Sequence, residues 1–316
     1  MANATLTQAK RAKNDEFYTQ RQDIDSEMSA YRNYDKNVFR GKTILLPCDD
    51  PEWSNFTKYF NDYFEFFGIR KLVSTSYNPG ARGKLLTKEQ GTKSMTITDL
   101  TGDGDFRSAE VIALRDEADA IITNPPFSLF REFLAWITEA GKQFSIIGNS
   151  NAITYKEVFP LIKSCQMWLG NGFANGNAFF ASPDAASYGP GVYQPSNGLV
   201  KFRNVSWFTN LDFAKRHEPI TFNTMEENIR YNRKIANTNA YVTYDNYDAI
   251  EIPSSSAIPS DYDGVMGVPI SFLDKLCPEQ FKIVGFRHGA DGKDLRYTRN
   301  NTTCTPYFRV LISHRL

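Results

Sequence analysis

The chain has 316 residues, enough for one large domain or two modest ones around a buried core. Hydrophobic residues make up 41% and charged residues 23%, which excludes a disordered or fibrous chain, and no apolar run nears the ~20 residues of a membrane helix. The formal net charge is zero, which excludes a surface coated in basic charge but leaves room for nucleic-acid binding through a local patch.

The first twenty residues contain no apolar h-region, so no secretory signal is expected. Cys48, Cys165, Cys277 and Cys304 are scattered without a CxxC pair and read as reduced thiols in the cytoplasm. From Lys42 to about Leu169, short β-branched runs alternate with helical patterns. Residues 43–47 (TILLP) predict a buried strand. A helix is expected over 53–67, where Phe56, Tyr59, Phe60, Tyr63, Phe64 and Phe67 form one apolar face. A second strand is expected at 71–76 and a Gly- and Lys-rich loop at 78–93. A third strand is expected at 95–99, a helix capped by Ser108, and a fourth strand at 120–123. A helix over 129–140, a fifth strand at 144–148 and a helix over 154–164 follow. Such an alternation predicts an α/β fold with a parallel sheet covered on both faces. Ligands then sit outside the carboxyl ends of the strands, in the loops after Pro47, Ser76, Asp99, Thr123 and Gly148.

Beyond Leu169 the pattern changes. GNGFANG (170–176) holds two Asn-Gly turn dipeptides, 182–198 reads as a surface loop, and 206–209 as one more strand. Residues 253–259 (PSSSAIP) resemble a linker. A domain boundary is placed near 220. Residues 282–316 carry seven Lys/Arg against two acids, with Phe286, Tyr297, Tyr307 and Phe308 interleaved. Arg287, Lys293, Arg296 and Arg299 are the candidate phosphate contacts, against the plainer reading of a solvated face.

The loop after the fourth strand reads Thr123-Asn124-Pro125-Pro126-Phe127. An exocyclic purine amino group is a poor nucleophile, because its lone pair is delocalised into the ring. The Asn124 amide oxygen and the Pro125 carbonyl, on a chain stiffened by Pro126, can accept its two hydrogens together and localise the pair. Phe127 offers a face on which an extruded base stacks. The loop Asp99–Phe106, with Glu110 beyond, nearly spells a calcium loop. The set is weakened by Thr101 and Arg107, and a strand precedes it where an EF-hand needs a helix. The three histidines have no ligand spacing, so no metal site is expected.

These residues resemble the EcoRI-type family of adenine-specific DNA methyltransferases. The likeness is carried by DEFYTQ (15–20), CDDP (48–51) with SNF (54–56), GDFRS (104–108) and TNPPFSLFRE (123–132). IIGNSNAITYKE (146–157), WLG (168–170), TNLDFAKRHE (209–218) and YDNYDAI (244–250) continue it. The resemblance implies S-adenosylmethionine as methyl donor and a Rossmann-like, mixed seven-stranded sheet with helices on both faces. Residues 1–220 would form the catalytic domain and 221–316 a smaller target-recognition region.

It also implies double-stranded DNA as partner, with GAATTC as a suggested target and no metal. A separately acting restriction endonuclease is left open. The protein would act as a monomer on DNA in the cytoplasm of a bacterial or phage-infected cell. The candidate catalytic residues are Asn124, Pro125, Pro126 and Phe127. Candidate cofactor residues are Phe17, Tyr18, Thr19, Asp49, Asp50, Asp105, Phe106 and Asn124. Asp49 and Asp50 stand where such enzymes usually carry glycines. Two other readings share these residues: a methyltransferase of RNA or protein glutamine, and a DNA-binding relative without catalysis. The DEFYTQ segment and the long region after the core favour DNA.

Overall fold

The computed structural model describes residues 17–92, 94–235 and 240–315, so Asp15 and Glu16 of the DEFYTQ segment lie outside the described residues. The chain divides into two compact units. One comprises residues up to Ile162 with Gln166–Phe213, the other Lys163–Cys165 with Ala214 onward.

The first unit is built on a mixed sheet. Its strands are β2 (Thr43–Pro47), β3 (Lys71–Thr75), β4 (Lys84–Glu89), β5 (Thr96–Asp99), β6 (Ala120–Thr123), β7 (Gln143–Asn149), β8 (Trp168–Leu169) and β12 (Val205–Thr209). They lie in the order β5-β4-β3-β2-β6-β7-β12-β8. The central strands β3, β2, β6 and β7 are parallel, and β12 enters antiparallel between β7 and β8. The sheet thus has eight strands rather than the expected seven. Two of the eight have no counterpart among the strands read from the sequence: the two-residue β8 and β4, which falls in the segment read as a loop. β4 pairs antiparallel with β3 and separates that strand from β5. Its sequence KLLTKE has one fully buried side chain, Leu86, between lysines, so it carries little of the apolar signal of a central strand. β5 is consequently an edge strand, exposed along its whole length.

Helices α1 (Arg21–Tyr34), α2 (Asn55–Asp62), α3 (Phe64–Phe67), α4 (Ala109–Glu117), α5 (Phe130–Glu139) and α6 (Phe159–Lys163) accompany these strands. The chain steps one way from β2 to β3 and the other way from β6 to β7. Right-handed crossovers therefore put α2 and α5 on opposite faces of the sheet. Side-chain alternation agrees. Ile44, Leu46, Ile122, Ile147 and Trp207 join one core with residues of α1 and α2. Phe208, next to Trp207, instead meets Phe130 of α5, with ring centroids 5.0 Å apart. Each fully buried aromatic here contributes roughly 1.5–3 kcal/mol of transfer free energy.

A second, antiparallel sheet completes this unit. It has the order β1 (Tyr18–Thr19), β9 (Ala178–Ala181), β11 (Leu199–Phe202), β10 (Tyr193–Gln194). β10 falls inside the segment read as a surface loop. The Asn-Gly turn at 175–176 enters β9 with both residues at positive φ, +55° and +67°, as that dipeptide permits.

The other unit holds the four-stranded order β13 (Ile250–Glu251), β14 (Met266–Pro269), β18 (Arg309–His314), β15 (Phe281–Phe286). It also holds a hairpin of β16 (Tyr297–Arg299) with β17 (Thr302–Cys304), and helix α7 (Met225–Tyr231), closed by a Thr224–Glu227 capping box. Residues 253–259 are not a linker, because Ala257 and Ile258 are fully buried in this unit.

Candidate active site

The turn after β2 has the backbone of a tight glycine turn without the glycine: Cys48 sits at φ +69°. That turn directs Asp49 inward. Asp49 is buried, its backbone N–H donates to Thr75 O at 2.9 Å, and its carboxyl accepts from Ser54 Oγ (2.7 Å) and contacts Thr123 Oγ1 (2.6 Å). Loss of hydration pushes this carboxyl up to about 7. Neither aspartate caps the helix that follows. Ser54 does, accepting from Phe56 N at 3.1 Å, so α2 begins at Asn55 rather than near Trp53. Asp50 instead closes the short turn 51–53, accepting from Glu52 N (2.8 Å).

After β5 the chain passes Gly104, where an added Cβ would meet Ser76 O at 2.0 Å, so only glycine lets this loop lie against the end of β3. Asp105 follows. Arg107 binds it through Nε at 2.8 Å and holds its carboxyl below the usual carboxylate range. Phe106 is buried, edge-on to Phe133 (5.1 Å) and Trp136 (5.6 Å). Glu110 bonds Thr101 N, Thr101 Oγ1 and Gly102 N, so the acid that would close a calcium loop is engaged by the loop's own donors.

The loop after β6 carries Asn124. Its Nδ2 donates to Phe17 O at 2.6 Å, which fixes the amide, while its Oδ1 is buried and accepts no hydrogen bond. A buried acceptor without a donor costs the folded protein roughly 1–3 kcal/mol, so its persistence marks an atom waiting for a ligand hydrogen. Asn55 Nδ2 donates to Thr19 O at 2.8 Å. Two side-chain amides thus fasten the N-terminal segment against the sheet.

Together these loops and the second sheet enclose a cavity of about 410 Å³. Of the sequence candidates, Phe17, Tyr18, Thr19, Asp49, Asp50, Asp105, Phe106, Asn124 and Pro126 line it. Pro125 and Phe127 do not. Phe127 is 4% exposed, stacked on Phe17 at 5.7 Å and edge-on to Phe180 at 6.3 Å. Sequence reasoning missed Asn55, Tyr77, Arg107 and Trp53 as wall residues. Tyr77 follows a strand's carboxyl end, a place the fold class marks for inspection.

The four basic candidates lie in the second unit. Arg287 is bonded to Asp294 (2.7 Å) and rests over Phe308 (4.4 Å), and Arg296 is paired with Asp291 (2.9 Å). Lys293 is exposed and Arg299 half-buried, and neither has a carboxylate partner among the described residues.

The family model described as "Adenine-specific methyltransferase EcoRI" matches residues 5–309. The chain belongs to that family. It is 41% identical to the type II methyltransferase M.EcoRI of Escherichia coli, over 99% of this chain and 97% of that one. It is 36% identical to the type II methyltransferase M.MpnI of Mycoplasma pneumoniae, over 88% and 84% of the two chains. No solved structure matches. The chain is therefore an adenine-specific DNA methyltransferase, with S-adenosylmethionine as the family's methyl donor. No helix among the described residues is long and apolar enough to cross a membrane.

Proposed function

We propose that the protein methylates the exocyclic amino group of an adenine extruded from double-stranded DNA, with Asn124 as the group that makes the amine reactive. The observation that carries this reading is the buried, unpartnered Oδ1 of Asn124 at the cavity wall. An amino hydrogen of the base fills it, and the Pro125 carbonyl takes the other, so the nitrogen lone pair is released for attack. S-adenosylmethionine supplies an electrophilic methyl on a sulfonium. The cavity fits it: its volume is in the range of small-molecule sites, and Asp49, Asp50 and Asp105 offer acceptors for an ammonium, ribose hydroxyls and an adenine amino group. Phe17, Tyr18 and Thr19 close the wall beside Asn124, and Phe106 packs on the adenine side.

Phe127 would stack on the base only by loosening its contact with Phe17. Freeing the ring also gives up its contact with Phe180, so two aromatic pairs of about 0.5–1.5 kcal/mol each stand against about 1–3 kcal/mol for a stacked base, and the two sides balance.

The unit from Ala214 onward is the target-recognition region, and Arg287, Lys293, Arg296 and Arg299 are its DNA contacts. Lys293 and Arg299 are the best placed for phosphates, because the other two are engaged by acids. Lys293→Ala should weaken binding to every duplex alike and lower the log–log salt slope by about one unit. An unchanged slope removes Lys293 from the interface. The enzyme acts as a monomer in a bacterial or phage-infected cytoplasm, without a metal, and beside a separate restriction endonuclease where one is present.

The deciding experiment supplies donor labelled in its methyl group together with duplexes, RNA and protein, then maps the label. Label on one adenine of GAATTC, lost in Asn124→Ala, supports the reading in full. Label on DNA elsewhere overturns the target alone, and label only on RNA or protein overturns the substrate class.

A further inference from the structure

Beneath the cavity wall, three oxygens lie in series: Asp49 Oδ2, Thr123 Oγ1 and the Pro47 carbonyl, with spacings of 2.6 Å and 2.5 Å. Thr123 is fully buried and Asp49 is 6% exposed. A threonine hydroxyl has one proton to donate. With Asp49 as a carboxylate, that proton serves one neighbour, and the other short oxygen–oxygen contact is left without any. The remaining donor nearby, Ser54 Oγ, is already directed at Asp49 Oδ1 (2.7 Å) while it accepts from Phe56 N. With Asp49 as a carboxylic acid, every contact is filled: Asp49 donates to Thr123, and Thr123 donates to Pro47.

The charged surroundings favour the acid form in the same way. On its own loop Asp49 has Asp50 and Cys48, whose thiol is itself pushed up by burial. From α2 and β3 the nearby groups are neutral hydroxyls, Thr57 and Ser74, the latter bonded to Asp49 O. From β6 comes Thr123, and from the loop after it Asn124. On the loop after β5 stand Asp105 and Arg107, and Lys84 and Glu52 pair near Asp50. Both cations are occupied, Arg107 by Asp105 and Glu132 and Lys84 by Glu52. Among the described residues no unpaired cation faces Asp49, so only the hydroxyls of Ser54 and Thr123 offset the cost of a buried carboxylate, and desolvation outweighs them.

We propose that Asp49 holds a proton when the cavity is empty and releases it when the cationic methyl donor binds, so that the protein distinguishes sulfonium donor from thioether product by a proton. This rests on the donor reading above. On ionisation the Asp49 O–H bond breaks, the proton passes to solvent, and the Thr123 hydroxyl turns from Pro47 to Asp49 Oδ2. No other bond changes. The product carries one positive charge fewer than the donor, so it leaves less reason for Asp49 to stay ionised, and proton uptake accompanies its release.

The test is calorimetric titration of the whole protein near pH 6, in buffers of different ionisation enthalpy. S-adenosylmethionine is one ligand and S-adenosylhomocysteine the other. Because burial raises the carboxyl to about 7, it is mostly protonated at pH 6, so donor binding there should release the larger part of a proton and product binding clearly less. Wild-type donor affinity should rise close to tenfold per pH unit below about 7 and then level off. Asp49→Asn, whose amide can still donate to Thr123, should release no proton at pH 6 and show flat affinity from about pH 5 to 7, where the donor's own amino group stays protonated. Thr123→Val should move the wild-type midpoint upward, because ionised Asp49 loses a donor, whereas Thr123→Ser should restore it. A purely structural Thr123 would leave the midpoint where it is. Donor binding without proton release overturns the proposal, as does equal release with donor and product or undiminished release in Asp49→Asn. Failure of the donor to bind at all sinks the donor reading instead, and this inference with it.

Discussion

Replacing Asn124 with alanine separates catalysis from folding, because the two effects on stability nearly cancel. The substitution removes the Nδ2 bond to Phe17 O, at 2.6 Å, and strands that carbonyl. It also removes the buried Oδ1 that has no donor. Each change is worth roughly 1–3 kcal/mol, with opposite sign. Net stability should stay within about 1 kcal/mol of wild type, a shift in Tm of no more than about 4 °C. Turnover should respond quite differently. Losing one group aimed at charge that develops in the transition state costs about 2.7–4 kcal/mol, a fall of about 10²–10³ in kcat. Single-turnover methylation and thermal unfolding on one preparation give both quantities. Turnover within tenfold of wild type would refute the catalytic role. A fall in Tm above 10 °C, on the order of three times the shift just argued, would show that Asn124 serves mainly to fasten the N-terminal segment.

Phe127→Ala should destabilise the first unit by about 3–5 kcal/mol, because the ring is buried between Phe17 and Phe180, while Phe127→Tyr should cost far less. Unfolding of the alanine variant at the wild-type urea midpoint would contradict that packing. For Asp49, the folded carboxyl is raised from 3.8 to about 7, so its contribution to the empty protein is present below pH 4 and lost as pH climbs toward 7. Wild type should therefore lose on the order of 3–4 kcal/mol relative to Asp49→Asn across that window, and a difference that is flat with pH would count against the shift. Glu251→Ala in the second unit leaves Arg309, whose side chain is only 13% exposed, without its bidentate partner and should cost about 3–5 kcal/mol. Near-wild-type unfolding of that variant would mean that the guanidinium finds water.

Much of the first unit was legible in the sequence because its signals are local. The runs TILLP, KLVST and AIIT are too apolar for anything but buried strands, and the aromatic stripe from Phe56 to Phe67 has one helical reading. The cavity residues followed, since chemistry in such sheets gathers at the carboxyl ends of strands. What escaped depends on distant partners. β4 exists because β3 and β5 flank it, and Leu86 alone announces it. β1 is two residues long and becomes a strand only against β9. Phe127 is apolar at a loop tip, which sequence reads as an exposed platform, whereas its neighbours Phe17 and Phe180 come from remote segments. Net charge counted along residues 282–316 could not show that Arg287 and Arg296 already have acids beside them.

The pairing of β1 with β9 also bears on how the chain is made. Tyr18 and Thr19 leave the ribosome early, yet their partners Ala181 and Phe180 are synthesised only after every strand of the central sheet except β12. The contact is among the most non-local in the unit, and closing so long a loop comes late in folding. A chain that has not yet reached β9 therefore lacks the partner that holds the wall beside Asn124. Donor can then stabilise only the finished molecule, by an amount that grows with the logarithm of its concentration over Kd. A cell rich in donor would hold this enzyme folded, and a starved one would expose its N-terminal strand first.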